Sequence, residues 1–126
     1  MKGRYVLAIE CDWRLRKLIR ANLEAVGLIV REAVGGPHGL QMLGDSRPDL
    51  ILLDLDLPDM DAWHLLGALG ARFADRPVPI VALCTEPPDR RLLHHAQLAA
   101  CLQKPFSASA LLEQVQGALG STSIGE

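Results

Sequence analysis

No stretch of this chain is long and apolar enough to suggest a membrane span. The longest unbroken apolar runs are five residues, as in Ile80 to Cys84, where a spanning helix needs ~20. The N-terminal apolar stretch ends at Glu10, too short for a secretory signal, so none is expected. There is no basic excess either: 13 Lys and Arg face 15 Asp and Glu, for a net charge of −2. Bulk charge therefore gives no reason to expect a nucleic-acid or anionic-membrane partner. Cysteine is scarce, three in all and none in a CxxC pair. An odd, widely spaced set reads as free thiols in a reducing compartment, with the cytoplasm as the expected location.

What is present fits one globular domain. The 126 residues are 49% apolar and 22% charged, ordinary proportions for a chain of single-domain length. Short apolar runs alternate with amphipathic segments five times. Arg4 to Ile9, Leu28 to Ala33, Asp49 to Asp54, Val78 to Cys84 and Ala99 to Gln103 read as strands. Between and after them the spacing predicts helices. The first starts at Asp12, an N-cap, and stops at Gly27, with Leu15, Leu18, Ile19, Leu23 and Val26 inward and Arg14, Arg16, Lys17, Arg20 and Glu24 outward. The second runs from Pro37 through Leu43 and Gly44, and the third from Asp61 to about Phe73. The fourth covers Pro88 to about Gln97, and the last runs from a Ser107 cap to Leu119 with Gly120 as its stop. Met60 with Leu65, and Phe106 with Leu111, are placed as hydrophobic staples. Five such βα units with continuously apolar strands imply an α/β fold, a doubly wound parallel sheet covered on both faces.

In such sheets ligands bind beyond the carboxyl ends of the strands. Those ends carry Glu10, Cys11 and Asp12, then Asp54 and Asp56, then Cys84 and Thr85, and finally Lys104. Acids, a hydroxyl, thiols and one lysine on one edge suit a phosphoryl and cation site, the lysine balancing added charge.

The run PDLILLDLDLPDMDAWHLL (Pro48 to Leu66), the Lys104-Pro105-Phe106 triplet and the acidic end of strand one together resemble the receiver domain of bacterial response regulators, the CheY-like family, over residues 4–119. The resemblance implies a flavodoxin-like (βα)5 fold with strand order 2-1-3-4-5. It also implies a receiver domain over residues 1–120, followed by a tail or linker stub at 121–126, and a signalling phosphoacceptor rather than an enzyme. Asp54 would be the phosphoacceptor, served by a histidine kinase or phosphotransfer protein, and Lys104 would pair with the phosphoryl group across a cis Lys104–Pro105 bond. Mg²⁺ would be held by Glu10, Asp54 and the backbone carbonyl of Asp56. Output, and a homodimer, would use the face of helix four, strand five and helix five.

Several positions depart from that pattern. Cys11 replaces an acidic Mg²⁺ ligand, and a hard ion does not favour a thiol. Cys84 stands at the switch position usually held by Ser or Thr, with Thr85 one place on, and Cys101 stands at the aromatic switch position. The connection through Glu86-Pro87-Pro88-Asp89 is about two residues short. These departures point to an atypical receiver with weak or absent Mg²⁺ and impaired phosphorylation. Two alternatives arise from the same residues. One is a haloacid dehalogenase-like phosphatase using Asp54 as nucleophile and Asp56 as general acid. The other is a redox or soft-metal module built on Cys11 and Cys84.

Overall fold

Strands that are apolar on both faces need cover on both, and the chain supplies it by sending each helix back across a parallel sheet. The computed structural model describes residues 3–44 and 46–122, with the side chains of 121 and 122 left aside. Its elements are β1 (Tyr5–Ile9), α1 (Trp13–Ala25), β2 (Ile29–Ala33), α2 (Gly36–Leu43) and β3 (Leu50–Asp54). They continue with α3 (Ala62–Arg72), β4 (Ile80–Cys84), α4 (Arg90–Leu93), β5 (Leu98–Gln103) and α5 (Ala108–Thr122). The five strands are parallel, in the order β2-β1-β3-β4-β5.

Side chains alternate across the sheet and sort the core into two layers. Val6, Ala8, Leu50, Leu52, Val81, Leu83 and Leu102 pack with α1 and α5, through Ile19, Leu23, Leu111 and Val115. Leu7, Ile9, Ile51, Leu53 and Ile80 face the other way, against Leu43, Leu65, Leu66, Leu69 and Leu92 from α2, α3 and α4. Every residue of β3 and β4 is buried.

The helix signals act where the sequence puts them. Asp12 Oδ1 accepts the Arg14 N–H at 2.9 Å, Asp61 Oδ2 accepts the His64 N–H at 3.1 Å, and Ser107 Oγ accepts the Ala110 N–H at 3.1 Å. Gly27 ends the first helix at φ 92°, a left-handed conformation that suits glycine.

Three expectations need correction. The fourth helix is one turn, Arg90–Leu93, and does not reach Gln97. Gln97 O already accepts the Ile80 N–H at 2.8 Å, and its side-chain Nε2 donates to Val78 O at 3.0 Å. Those bonds draw the chain into β5 before a second helical turn can form. Gly120 does not stop the last helix, which continues to Thr122; the tail from 123 onward lies outside the described residues. Arg16 is not on a solvated helix face: its side chain is only 13% exposed.

Candidate functional site

The sheet's alternation decides which strand-end groups can meet. β1 and β3 pair with Ile9 opposite Leu53, so Glu10 and Asp54 come next, side by side. Both follow the parity of Ala8 and Leu52 and so emerge on the α1/α5 side. Lys104 follows the parity of Leu102 and emerges on that side too. Cys84 has the opposite parity, with Ile80 and Ala82. The sequence names all four, and the pleat brings only three of them together.

Glu10 and Asp54 are each 1% exposed. The Lys104 ammonium lies between them, 2.8 Å from Glu10 Oε1 and 3.3 Å from Asp54 Oδ1. On the opposite side of the two carboxylates sits the Cys11 thiol, with Sγ 3.7 Å from Asp54 Oδ2 and 3.8 Å from Glu10 Oε2. Each carboxylate thus offers one oxygen to an ammonium and the other to a sulfur. Backbone donors complete the pair: the Asp12 N–H reaches Glu10 Oε2 at 3.0 Å, and the Asp56 N–H reaches Asp54 Oδ1 at 2.9 Å.

The electrostatics follow from two buried anions sharing one cation. Burial pushes the Glu10 carboxyl above the ordinary carboxylate range; Lys104 and the Asp12 amide oppose the shift, and Asp54 adds to it. Burial works against the charge on Lys104, but Glu10 and then Asp54 outweigh it and hold the ammonium above the ordinary lysine value. Cys11 is pushed up by desolvation first and by the charges of Asp54 and Glu10 next.

The other named residues are placed as follows. Asp56 directs its carboxylate away from Asp54: its Oδ2 accepts both the Thr85 hydroxyl at 2.6 Å and the Thr85 N–H at 2.9 Å. Cys84 is buried with Sγ 3.7 Å from Leu102 O, and it lines a cavity of about 230 Å³ against Trp63, Leu66, Pro87 and Leu92. Cys101 is half-buried beside the α3-side core layer. The Lys104–Pro105 peptide is cis, and the Lys104 N–H donates to Cys84 O at 2.7 Å.

Sequence reasoning missed Arg16. From the first turn of α1 its guanidinium donates to Glu10 O at 2.7 Å and Cys11 O at 3.1 Å, and it pairs with Glu32 Oε1 of β2 at 3.2 Å. It therefore fixes the β1–α1 loop that carries Cys11. A helical wheel sees only a charge on the outer face; nothing in the spacing shows that the preceding loop folds back beneath it.

The comparisons with known proteins agree with this geometry. Residues 6–116 match the family described as "Response regulator receiver domain". The chain belongs to the response regulator receiver family. It is 32% identical over 119 residues to the DNA-binding dual master transcriptional regulator RpaA of Synechocystis sp., covering 93% of this chain and 49% of that protein. It is also 32% identical over 114 residues to the KDP operon transcriptional regulatory protein KdpE of Escherichia coli, covering 90% and 50%. This receiver thus spans about half the length of those regulators. Among solved structures, the chemotaxis response regulator CheY4 of Vibrio cholerae superposes with a TM-score of 0.84 at 24% identity, over 93% of this chain and 99% of that one. At that identity the likeness shows the fold, with the same doubly wound five-stranded sheet.

Receivers are signalling domains of two-component systems, and they generally bind Mg²⁺ and work with histidine kinases and output partners. The donor set here does not fit that ion well. The atoms grouped about the strand-one end are two carboxylate oxygens and a thiol, all within 4.8 Å of one another. Mg²⁺ demands near-octahedral oxygen ligands. Among the described residues no helix is long and apolar enough to cross a membrane.

Proposed function

We propose that this chain is an atypical receiver whose phosphorylation at Asp54 is impaired and which signals through protein–protein contact. The reading rests on one observation: the Cys11 thiol faces Asp54 Oδ2 at 3.7 Å, on the side where a receiver's second acid belongs. Phosphotransfer would require an Asp54 oxygen to attack phosphorus as the donor's bond to it breaks. Lys104 is placed to balance the added charge, 3.3 Å from Oδ1. The remaining help is weak. A thiol is a poor hydrogen-bond donor, Cys84 points into the opposite layer, and the Thr85 hydroxyl is held by Asp56. Mg²⁺ binding is correspondingly weak, and Asp56, the general acid that a phosphatase would use, has its carboxylate taken by Thr85. That arrangement argues against a phosphatase.

The input is a histidine kinase or phosphotransfer protein. The output passes through the α4, β5 and α5 face to a partner or to a second copy. Its α4 portion is a single turn bearing Leu93, which is exposed.

The test is intact mass after incubation with a small phosphodonor and Mg²⁺, with Asp54→Asn as control. Little or no adduct is expected on the wild-type chain, and more on Cys11→Asp. A stable adduct at ordinary receiver rates on the wild-type protein refutes the impairment, and steady release of free phosphate would restore the phosphatase.

A further inference from the structure

The Cys11 side of the centre has a geometry of its own. A tetrahedral zinc ion with Zn–S near 2.3 Å and Zn–O near 2.1 Å sets its sulfur and oxygen ligands about 3.6 Å apart. Cys11 Sγ stands 3.7 Å from Asp54 Oδ2 and 3.8 Å from Glu10 Oε2. Both are within reach of a thiol hydrogen bond, but one S–H cannot serve two oxygens at once, and both separations match the edges of that tetrahedron.

Charge points the same way. Two carboxylates, each 1% exposed, share one ammonium, and Glu10 Oε1 receives no well-directed hydrogen bond even with Lys104 2.8 Å away. A buried anionic excess calls for a second cation. Lys104 does not block one, because it occupies the other oxygen of each carboxylate, Oε1 and Oδ1. With the thiol ionised, three anionic ligands, one dication and the Lys104 ammonium cancel. Arg16 adds rigidity by tying down the Glu10 and Cys11 carbonyls, so the backbone that carries the thiol is fixed before any ion arrives.

We propose that Glu10, Cys11 and Asp54 form a binding site for a thiophilic divalent cation of the zinc class, with a fourth position open. On binding, the metal–sulfur bond forms as the Cys11 S–H bond breaks, and one proton passes to solvent. The inference deepens the proposed function: the receiver's cation position is kept, its ion is changed, and Asp54 is engaged as a ligand. The alternative use of Cys11, as a redox sensor, has less support. Reactive thiols sit in electropositive surroundings, whereas Cys11 faces two carboxylates that disfavour its thiolate unless a metal is bound.

The test uses the whole chain and cobalt(II) as a spectroscopic stand-in for zinc. Metal-free protein titrated with Co²⁺ is expected to bind one ion, with a near-ultraviolet sulfur-to-cobalt charge-transfer band, tetrahedral visible bands and release of one proton. Zn²⁺ should displace the colour, and Mg²⁺ in large excess should not. Cys11→Ser, whose fold is checked by its circular dichroism melt, should lose the band and weaken Zn²⁺ by at least the roughly 100-fold that loss of a mere outer partner can cost. Cys84→Ser, Cys101→Ser and a double His94→Ala, His95→Ala variant should titrate as wild type. Absence of the band, or its survival in Cys11→Ser, overturns the proposal. If the band is absent but Cys11→Asp gains phosphoryl adduct with Mg²⁺, the zinc-class ion falls and the impaired receiver stands. A wild-type chain phosphorylated at ordinary rates refutes the impairment whatever the cobalt result.

Discussion

Thr85 and Asp56 are locked to each other across the mouth of the sheet, the hydroxyl at 2.6 Å and the amide at 2.9 Å from the same carboxylate oxygen. The contact ties the β3–α3 loop to the end of β4, and Gln103 Nε2 extends it to β5 by donating to Thr85 O at 3.1 Å. Asp56→Ala removes both bonds and should cost about 1–2 kcal/mol, since charge-assisted bonds in exposed positions fall at the low end of their range. Thr85→Val keeps the amide bond and should lose about half as much. Urea unfolding of the two variants checks the order. Because the hydroxyl is already engaged, Thr85→Val should also leave the lifetime of any Asp54 phosphoryl adduct unchanged.

Lys104 holds two buried anions together, so its removal should be felt far more than that of a surface lysine. Lys104→Met keeps the length and loses the charge, leaving Glu10 and Asp54 facing each other uncompensated. The expected loss is about 3 kcal/mol, at the lower end for breaking a buried pair because the ammonium retains some exposure. Glu10→Gln in the same background should recover part of it. Recovery near zero in thermal melts would mean that the two carboxylates do not repel through this gap.

The pH dependence, measured with a chelator present, follows from the two shifted groups. Glu10 binds its proton more tightly in the folded chain than in the unfolded one. Between the ordinary glutamate range and its raised value the folded state therefore holds more protons, and stability falls as pH rises through that window. Lys104 is also raised; its contribution is present below the ordinary lysine value and is lost as pH rises through the folded one. Glu10→Gln should remove the lower step and shrink the upper one, since Glu10 is the first group that raises Lys104; its stability relative to wild type should climb with pH through mild acid, and the loss at high pH should be smaller than in wild type. Chemical denaturation at a series of pH values reads this directly.

Arg16 supports the Cys11 loop through two carbonyls and pairs with Glu32 on the neighbouring strand. Arg16→Ala frees both carbonyls and leaves Glu32 with Arg20, 2.8 Å away. The expected loss is about 2 kcal/mol, the scale of losing hydrogen bonds from a charged group. Cobalt affinity should fall roughly tenfold, as when an outer support of a ligand is removed. Arg20→Ala is the comparison, since it pairs with Glu32 but touches neither carbonyl, and it should leave the affinity alone.

The fold was largely legible in the sequence because its signals are local. Five apolar runs, the caps at Asp12, Asp61 and Ser107, and the stop at Gly27 each act within a few residues of where they are written. The candidate site was legible as a list of residues, since strand ends in a parallel sheet gather on one edge. Their facing directions were harder to read. That Cys84 leaves the site for the opposite layer depends on strand parity, and the expected strand starts ran one or two residues off. Arg16 and the one-turn α4 could not be read at all, because both are set by contacts across the chain, from a loop to a helix and from Gln97 to Val78.

That last contact is the most direct check on why α4 is short. Gln97 is buried, and its amide satisfies Val78 O at the start of the β4 segment. Gln97→Met keeps the bulk but strips the donor, leaving a buried carbonyl unpaired at a cost of about 1–3 kcal/mol. Gln97→Ala adds a cavity to the same loss and should be worse. If the bond is what ends the helix, Gln97→Met should also change hydrogen exchange across the turn His94–Gln97, with protection moving toward the Leu93 side as the helix lengthens. Unchanged exchange there, with stability lost, would mean that the Pro87-Pro88 entry and the strand pairing of Ile80 with Gln97 O suffice to hold α4 to one turn.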